Sequence, residues 1–115
     1  MFSPHEKNIM DRLVAVFSTM NELSRIMVFG SRAREQSSDH SDLDILLLFD
    51  AGGPELLKSI QKLKARALDD SEDFNYVSVY PLHESKYRTS DSKFLHNIQK
   101  EGVTIWKRKE LNPSK

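Results

Sequence analysis

The chain has 115 residues, contains 17 Lys and Arg residues against 17 Asp and Glu residues, and has no cysteine. This length corresponds to one domain, since domains average about 100–200 residues. The balanced charge argues against a nucleic-acid-binding domain, because such domains usually carry an excess of Lys and Arg to neutralise phosphates. The lack of cysteine excludes disulfide scaffolds, cysteine nucleophiles and zinc–thiolate sites.

No apolar run approaches the roughly 18–20 residues that a membrane-spanning helix requires. The first residues lack a basic segment followed by a continuous apolar one, so we expect no signal peptide and a cytoplasmic protein without membrane contact. Residues 1–109 are predicted to form a single domain. Residues 110–115 are polar and are predicted to form a disordered tail.

A helix is predicted at the start of the chain. Ser3 is a candidate N-cap, Pro4 suits the first helical position, and Glu6 has the spacing of a capping-box partner. Apolar residues then recur at helical spacing: Ile9, Leu13, Val16, Phe17 and Met20. Asn21 is the predicted end of this helix.

Two strands are predicted next. The first covers residues 26–29, a short apolar run that Gly30 ends. Residues 32–41 are polar and are predicted to form a turn or two of helix and then a loop. The second strand covers residues 43–49, which are nearly all apolar, as is typical of a central strand buried on both faces.

A second helix is predicted from Pro54. Its expected core positions are Leu56, Leu57, Ile60, Leu63 and Leu68. The acidic residues 69–73 are predicted to form a solvated loop; they lack the glycine and terminal glutamate of a calcium-binding EF-hand loop. Residues 74–80 follow as a third strand, which Pro81 should end.

A third helix is predicted with Ser90 or Asp91 as its cap. Its apolar positions are Phe94, Leu95 and Ile98. Gly102 lies where a helix C-terminus favours glycine, and residues 103–106 form a short fourth strand. Because helices and strands alternate along the chain, we predict an α/β (α+β) fold in which helices pack on a small mixed β-sheet.

Two carboxylates lie close together at the start of the central strand. Asp42 and Asp44 are two residues apart, so in a strand their side chains project from the same face. Two neighbouring carboxylates repel each other and lose solvation there unless a cation compensates them. Mg²⁺ suits this role because it prefers oxygen ligands and leaves coordination positions for phosphate oxygens.

A candidate phosphate-binding turn precedes these carboxylates. Gly30 allows close approach of the backbone to an anion, and Ser31 can donate a hydrogen bond to a phosphate oxygen. Arg32 and Arg34 add positive charge nearby. Together with the two aspartates, this turn predicts a metal-assisted reaction on a nucleoside triphosphate.

The order Gly30-Ser31, a ten-residue spacer and Asp42-Leu43-Asp44 resembles the signature of the DNA polymerase β-like nucleotidyltransferase superfamily. The short chain and its final segment from Phe94 to Val103 resemble the minimal nucleotidyltransferases, small proteins often encoded beside a helical HEPN partner as toxin–antitoxin pairs. The resemblance covers most of the chain in outline, and its specific match is confined to residues 28–48.

The resemblance implies roles for individual residues. Gly30 and Ser31 would hold the triphosphate, and Asp42 and Asp44 would bind Mg²⁺ and act in catalysis. The implied reaction transfers a nucleoside monophosphate, AMP from ATP, to an acceptor hydroxyl and releases pyrophosphate. A tyrosine of a HEPN toxin is the favoured acceptor, because the chain is too short for its own acceptor domain; a second copy in a homodimer is the alternative source.

The family's third carboxylate is not found at its expected position. The best-matching triplet places Ser78 there, an alternative register places Asn75 there, and Asp73 would serve only if the strand began earlier. The second hypothesis follows from this departure: a catalytically weakened or inactive antitoxin that binds and masks its toxin. Loss of a general base typically lowers a rate by about 10²–10⁴-fold.

Several other residues have simpler explanations. The histidines lack metal-ligand spacing and are predicted at the surface: His5, His40, His83 and His96. His40 alone, two residues before Asp42, is near enough in sequence to be considered a substrate contact. Phe94 and Trp106 are predicted as core residues, and Lys107 to Lys109 as a solvated terminus or a docking patch for an acidic partner.

Overall fold

The computed structural model describes residues 2–30, 43–69 and 71–108. Over these residues helices and strands are interleaved along the chain, as predicted. The helices are α1 (Pro4–Phe17), α2 (Glu55–Ala67), α3 (Ser71–Tyr76), α4 (Glu84–Thr89) and α5 (Lys93–Glu101). The strands are β1 (Leu23–Phe29), β2 (Leu43–Phe49), β3 (Val77–His83) and β4 (Val103–Lys107). None of the described helices is long and apolar enough to cross a bilayer.

The strands form one mixed sheet in the order β3-β2-β1-β4. Strand β1 pairs antiparallel with β2 and with β4, whereas β2 and β3 are parallel. The predicted central strand, 43–49, is confirmed as β2, and every residue of it except Asp44 is buried. The structure therefore confirms the predicted small mixed sheet with packed helices.

The two faces of the sheet are covered by different helices. Helices α1 and α2 cover one face, which presents Ile26, Val28, Leu43, Ile45 and Leu47. Helices α4 and α5 cover the other, where Met27, Phe29, Leu46 and Leu48 meet Tyr87, Leu95 and Ile98. Asp44 belongs to this second face, because it precedes Leu46 by two residues in the same strand.

Helix α1 begins as predicted. The Ser3 hydroxyl accepts a hydrogen bond from the Glu6 backbone, and the Glu6 carboxylate accepts one from the Ser3 backbone, which completes the capping box. The helix ends at Phe17 and not near Asn21, because turn hydrogen bonds between Ser18 and Leu23 replace helical ones.

The prediction for residues 69–81 was wrong in its boundaries. Residues 71–76 are helical (α3), and β3 starts only at Val77. Pro81 does not end β3, which continues to His83. Strand β3 lies at the edge of the sheet. Pro81 is tolerated there because an edge strand does not need every backbone N–H as a hydrogen-bond donor to a neighbouring strand.

Two predicted core positions are exposed. The side chain of Leu57 is 56% exposed and that of Phe94 is 55% exposed. The other predicted positions of α2 are confirmed, since Ile60 and Leu68 are buried and Leu56 and Leu63 pack partly buried against the core. Lys64 and Ala67 are also buried, at three- and four-residue spacing from Ile60. Lys64 was not predicted in the core because the sequence does not show whether a lysine buries its methylene chain or extends into solvent.

The C-terminal part contains one helix that the sequence did not predict. Helix α4 has only six residues, too few to show an apolar periodicity. Helix α5 is capped by Ser92, whose hydroxyl accepts from the Leu95 backbone, and not by Ser90 or Asp91. The predicted fourth strand is confirmed as β4.

Candidate functional site

Gly30 and Asp44 face each other where β1 ends. Phe29, the last residue of β1, pairs with Asp44 in β2. Gly30 then has a φ of +81°, a conformation that glycine adopts without the strain of a side chain. A Cβ atom at Gly30 would lie 2.5 Å from Oδ2 of Asp44. The Asp44 carboxylate therefore occupies the space that the missing glycine side chain leaves.

Ser78 lies beside Asp44 on the other side of β2. The parallel register of β2 and β3 pairs these two residues directly, so their side chains share a face. Of the three positions considered for a third carboxylate, only Ser78 has this register. Asn75 is an exposed residue of α3, and Asp73 lies in α3 beside His5 (2.9 Å) and Arg12 (3.4 Å).

A pocket of about 180 Å³ opens at this end of the sheet. Its lining comprises Phe29, Gly30 and Asp44 together with Phe94, Asn97, Ile98, Glu101 and Gly102 from the α5 region. Glu101 thus contributes a second carboxylate to the pocket that contains Asp44. The sequence did not indicate this role, because residue type alone does not distinguish a pocket glutamate at the end of an amphipathic helix from a solvated one.

Aromatic side chains border the same pocket. The ring of Phe29 lies 5.5 Å from that of Tyr80 and 5.5 Å from that of Phe94, the latter edge to face. Tyr80 and Phe94 are both substantially exposed. Phe94 was predicted in the core but stands at the pocket, whereas Trp106 is partly buried and packs against the core on the α1 and α2 side.

The remaining predicted site residues lie outside the described residues: Ser31, Arg32, Arg34, His40 and Asp42. Within the described ranges, no group of three or more His, Cys, Asp or Glu side chains is arranged to hold a metal ion. Asp44 and the Ser78 hydroxyl do supply the hard oxygen atoms that Mg²⁺ prefers. The described part of the site therefore offers the donor type that suits Mg²⁺.

Solved structures with this fold support the assignment of the domain. One is a proposed nucleotidyltransferase from Sulfolobus solfataricus, with a TM-score of 0.55, 22% identity and coverage of 94% of this chain and 91% of that one. Another is a toxin–antitoxin complex with AMP-PNP, with a TM-score of 0.55, 20% identity and coverage of 90% and 74%. At these identities the similarity establishes the fold only.

A third similar structure is a tri-AMPylated Shewanella oneidensis HEPN toxin in complex with an MNT antitoxin, with a TM-score of 0.52, 22% identity and coverage of 90% and 72%. No curated protein matches the sequence significantly. The family model for "Polymerase beta, Nucleotidyltransferase" matches residues 11–111. That match spans both β1 and β2 with the Gly30 turn, and the chain belongs to the polymerase β nucleotidyltransferase family.

Proposed function

We propose that the protein transfers a nucleoside monophosphate, AMP from ATP, to an acceptor hydroxyl and releases pyrophosphate. The observation that carries this proposal is the position of the Asp44 carboxylate, in a pocket against the Gly30 turn. The family membership supports the reaction class. A cytoplasmic location is part of the proposal, because the nucleoside triphosphate pool is there.

The proposed roles follow from the chemistry of each residue. Gly30 and Ser31 would hold the triphosphate with backbone and hydroxyl donors, and Arg32 and Arg34 would balance its charge. Asp42 and Asp44 would bind Mg²⁺, with Asp44 oriented by its place in β2. When bound, the metal would neutralise triphosphate charge and stabilise the leaving group.

The reaction balances without a further reactant. A bond forms between the acceptor oxygen and the α-phosphorus, and the bond from that phosphorus to the bridging oxygen of pyrophosphate breaks. The acceptor's hydroxyl proton leaves to a base or to water. Catalysis would rest on positioning and charge stabilisation, since the chain needs no covalent intermediate.

We propose a tyrosine of a HEPN-type partner protein as the acceptor. Two similar structures support this choice: one is a toxin–antitoxin complex with AMP-PNP, and the other contains an AMPylated HEPN toxin with an MNT antitoxin. The exposed ring of Phe94 lines the pocket, and the exposed ring of Tyr80 contacts the lining residue Phe29, so both offer apolar area to an incoming segment.

A second candidate function is a non-catalytic antitoxin that binds and masks its toxin. The specific observation is Ser78, which stands beside Asp44 where the family resemblance calls for a carboxylate. A hydroxyl neither ionises at neutral pH nor provides the charge of a metal ligand. Under this alternative, complex formation with the toxin would not require Asp44.

The deciding experiment is label transfer. The purified protein is incubated with Mg²⁺ and α-labelled ATP in a lysate of its own host, and labelled protein bands are sought. Asp42→Asn/Asp44→Asn is the inactivated variant. Asp91→Asn is the control, since it removes one carboxylate charge at an exposed residue outside the proposed site. Because the double variant loses two charges, Asp44→Asn alone, which also loses one, is the variant matched to Asp91→Asn.

A labelled band that persists with Asp91→Asn and disappears with Asp42→Asn/Asp44→Asn supports the nucleotidyltransferase, and the size of the band identifies the acceptor. No band with any of the four nucleoside triphosphates, or with Mn²⁺ in place of Mg²⁺, contradicts it. In that event, capture of a HEPN-type protein by the Asp42→Asn/Asp44→Asn variant would support the masking function.

A further inference from the structure

A second, larger cavity lies at the opposite end of the sheet from Asp44. It has a volume of about 490 Å³, within the range of about 300–1,000 Å³ typical of small-ligand pockets. Asp50 is part of its lining and follows Asp44 by six residues at the end of β2. At about 3.3 Å per residue, the two sites are roughly 20 Å apart.

Basic residues dominate this cavity. Its lining contains Arg25, Arg88, Lys107 and Arg108, together with His83. Among the residues that the structure describes, the carboxylates in this lining are Asp50 and Glu84. Four full positive charges thus face two negative ones, in a chain whose formal net charge is zero. The excess concentrates positive potential in a concave surface, which favours an anionic ligand.

Glu84 lies within ion-pair distance of two of the arginines. Its side chain is about nine-tenths buried, and Oε1 lies 3.4 Å from Nε of Arg88 and 3.9 Å from Nη2 of Arg25. The hydroxyl of Ser24 donates to the other carboxylate oxygen. Arg25 also lies over the ring of Tyr87, 5.1 Å from its centroid. These contacts place the Arg25 guanidinium at the cavity, between Glu84 and the ring of Tyr87.

Asp50 anchors a third arginine in the same way. Arg108 donates to Asp50 and to the backbone carbonyl oxygens of Asn21 and Leu23. The hydrogen bond from Arg108 lowers the pKa of Asp50. Lys107, by contrast, has no side-chain partner among the described residues and is exposed at the cavity. Lys107 therefore supplies an uncompensated positive charge.

We propose that this cavity is a second binding site, for a phosphate-bearing small molecule. A guanidinium group has five N–H donors in a planar arrangement, so an arginine that contacts a carboxylate still has donors available. The spacing of these donors matches that of phosphate oxygens. Binding at this site is independent of the proposed transfer reaction, because none of its residues belongs to the Asp44 pocket.

The test is an NMR titration of the ¹⁵N-labelled full chain, without divalent metal, with inorganic phosphate, pyrophosphate and AMP in separate experiments. We expect saturable amide shifts at Arg25, Ser85 and Lys107. Equal affinity for phosphate and AMP would mean that the site recognises the phosphate group alone. Tighter binding of AMP would mean that the site also contacts the nucleoside. Because the cavity is open to solvent, added salt should weaken either interaction.

Lys107→Gln is the diagnostic variant, since it removes the unpaired charge and leaves the Glu84 and Asp50 contacts intact. We expect at least about tenfold weaker binding, as for the loss of one charge-assisted hydrogen bond. Lys58→Gln is the matched control, because Lys58 is an exposed residue of α2 on the other side of the sheet.

Three results would overturn the proposal. One is the absence of saturable shifts up to about 10 mM of every anion. The second is binding that Lys107→Gln and Lys58→Gln weaken equally. The third is a response only to an acidic peptide, which would make this surface a protein interface.

Discussion

Gly30 and Asp44 occupy each other's space: a Cβ atom on Gly30 would lie 2.5 Å from a carboxylate oxygen of Asp44. Real Cβ atoms do not approach an oxygen so closely, so a larger residue at position 30 requires the carboxylate to move. The positive φ of Gly30 adds a second constraint, independent of Asp44. The position of the Asp44 carboxylate, the proposed metal ligand, therefore depends on glycine at position 30.

Gly30→Ala should separate these two effects. We expect a loss of about 1–3 kcal/mol in the free energy of unfolding from backbone strain. We also expect label transfer to fall by more than the loss of folded protein accounts for, because the added methyl group displaces the Asp44 carboxylate. Gly53→Ala is the control, since Gly53 has no positive φ and lies far from the pocket. Equal residual activity in the two folded variants would contradict a positioning effect.

Ser78→Asp should create a second carboxylate beside Asp44. Without metal, like charges directly opposite in a sheet should cost about 0.2–1 kcal/mol in stability. Mg²⁺ should then raise the melting temperature of Ser78→Asp more than that of the unmodified chain, because a ligand that binds the folded state stabilises it. Thermal unfolding with and without Mg²⁺ measures this difference.

The activity of Ser78→Asp distinguishes the two proposed functions. A strong increase in label transfer would mean that the natural site is catalytically weakened by the missing carboxylate. Unchanged activity would mean that another group fills the role, and Glu101 in the same pocket is the candidate. Ser59→Asp, at an exposed residue of α2, controls for the added charge.

The sequence predicted the parts of the fold that depend on local patterns. The capping box at Ser3 and Glu6 and the apolar run of β2 both appear where their residue types indicate. The register that places Ser78 beside Asp44 also agrees with the triplet suggested by the family resemblance. The capping box and the apolar run are determined by residues close together in the chain, whereas the expectation for Ser78 came from the family resemblance.

The missed features depend on contacts between distant segments. The first half of α3 was predicted as an acidic loop and its second half as the start of a strand, but Asp73 is paired with His5 and Arg12 from α1. Continuation of β3 through Pro81 depends on its edge position, which only the strand order reveals. The basic cavity at Arg25 and Lys107 likewise combines residues more than eighty positions apart, so no local motif could indicate it.

Tyr76→Phe tests a buried polar contact between α3 and α1. The Tyr76 hydroxyl donates to Oε2 of Glu6 at 2.8 Å, and Glu6 is 3% exposed. A hydrogen bond to a buried charged group contributes about 1.5–3 kcal/mol, so we expect a loss of that size in denaturant unfolding. Tyr80→Phe is the matched control, because Tyr80 is exposed, and it should change stability by less than about 0.5 kcal/mol. Similar losses in both variants would contradict this role for Tyr76.

The burial of Lys64 predicts a pH dependence of stability. Desolvation lowers the pKa of Lys64 from its ordinary value of 10.5. At pH values between the pKa of Lys64 in the folded chain and 10.5, the unfolded chain binds more protons than the folded chain. The contribution of Lys64 to the free energy of unfolding therefore rises with pH over this range. Lys64→Met removes the titration, and the stability of the natural chain relative to this variant should rise as the pH approaches 10.5. Lys58→Met, at an exposed position, should show no such trend; a flat difference for Lys64→Met as well would contradict the burial effect.

Phe94 and Leu95 are neighbours in α5 with opposite environments, and their alanine variants should separate function from stability. Leu95 is buried against the sheet, so Leu95→Ala should cost about 2–5 kcal/mol in unfolding free energy. Phe94 is exposed apart from its edge-to-face contact with Phe29, so Phe94→Ala should cost only about 0.5–1.5 kcal/mol. Because Phe94 lines the Asp44 pocket, its variant should nevertheless lower label transfer at temperatures where the chain remains folded. A loss of activity in Phe94→Ala under these conditions could not be attributed to unfolding. Full activity of Phe94→Ala would show that the exposed ring takes no part in the proposed site.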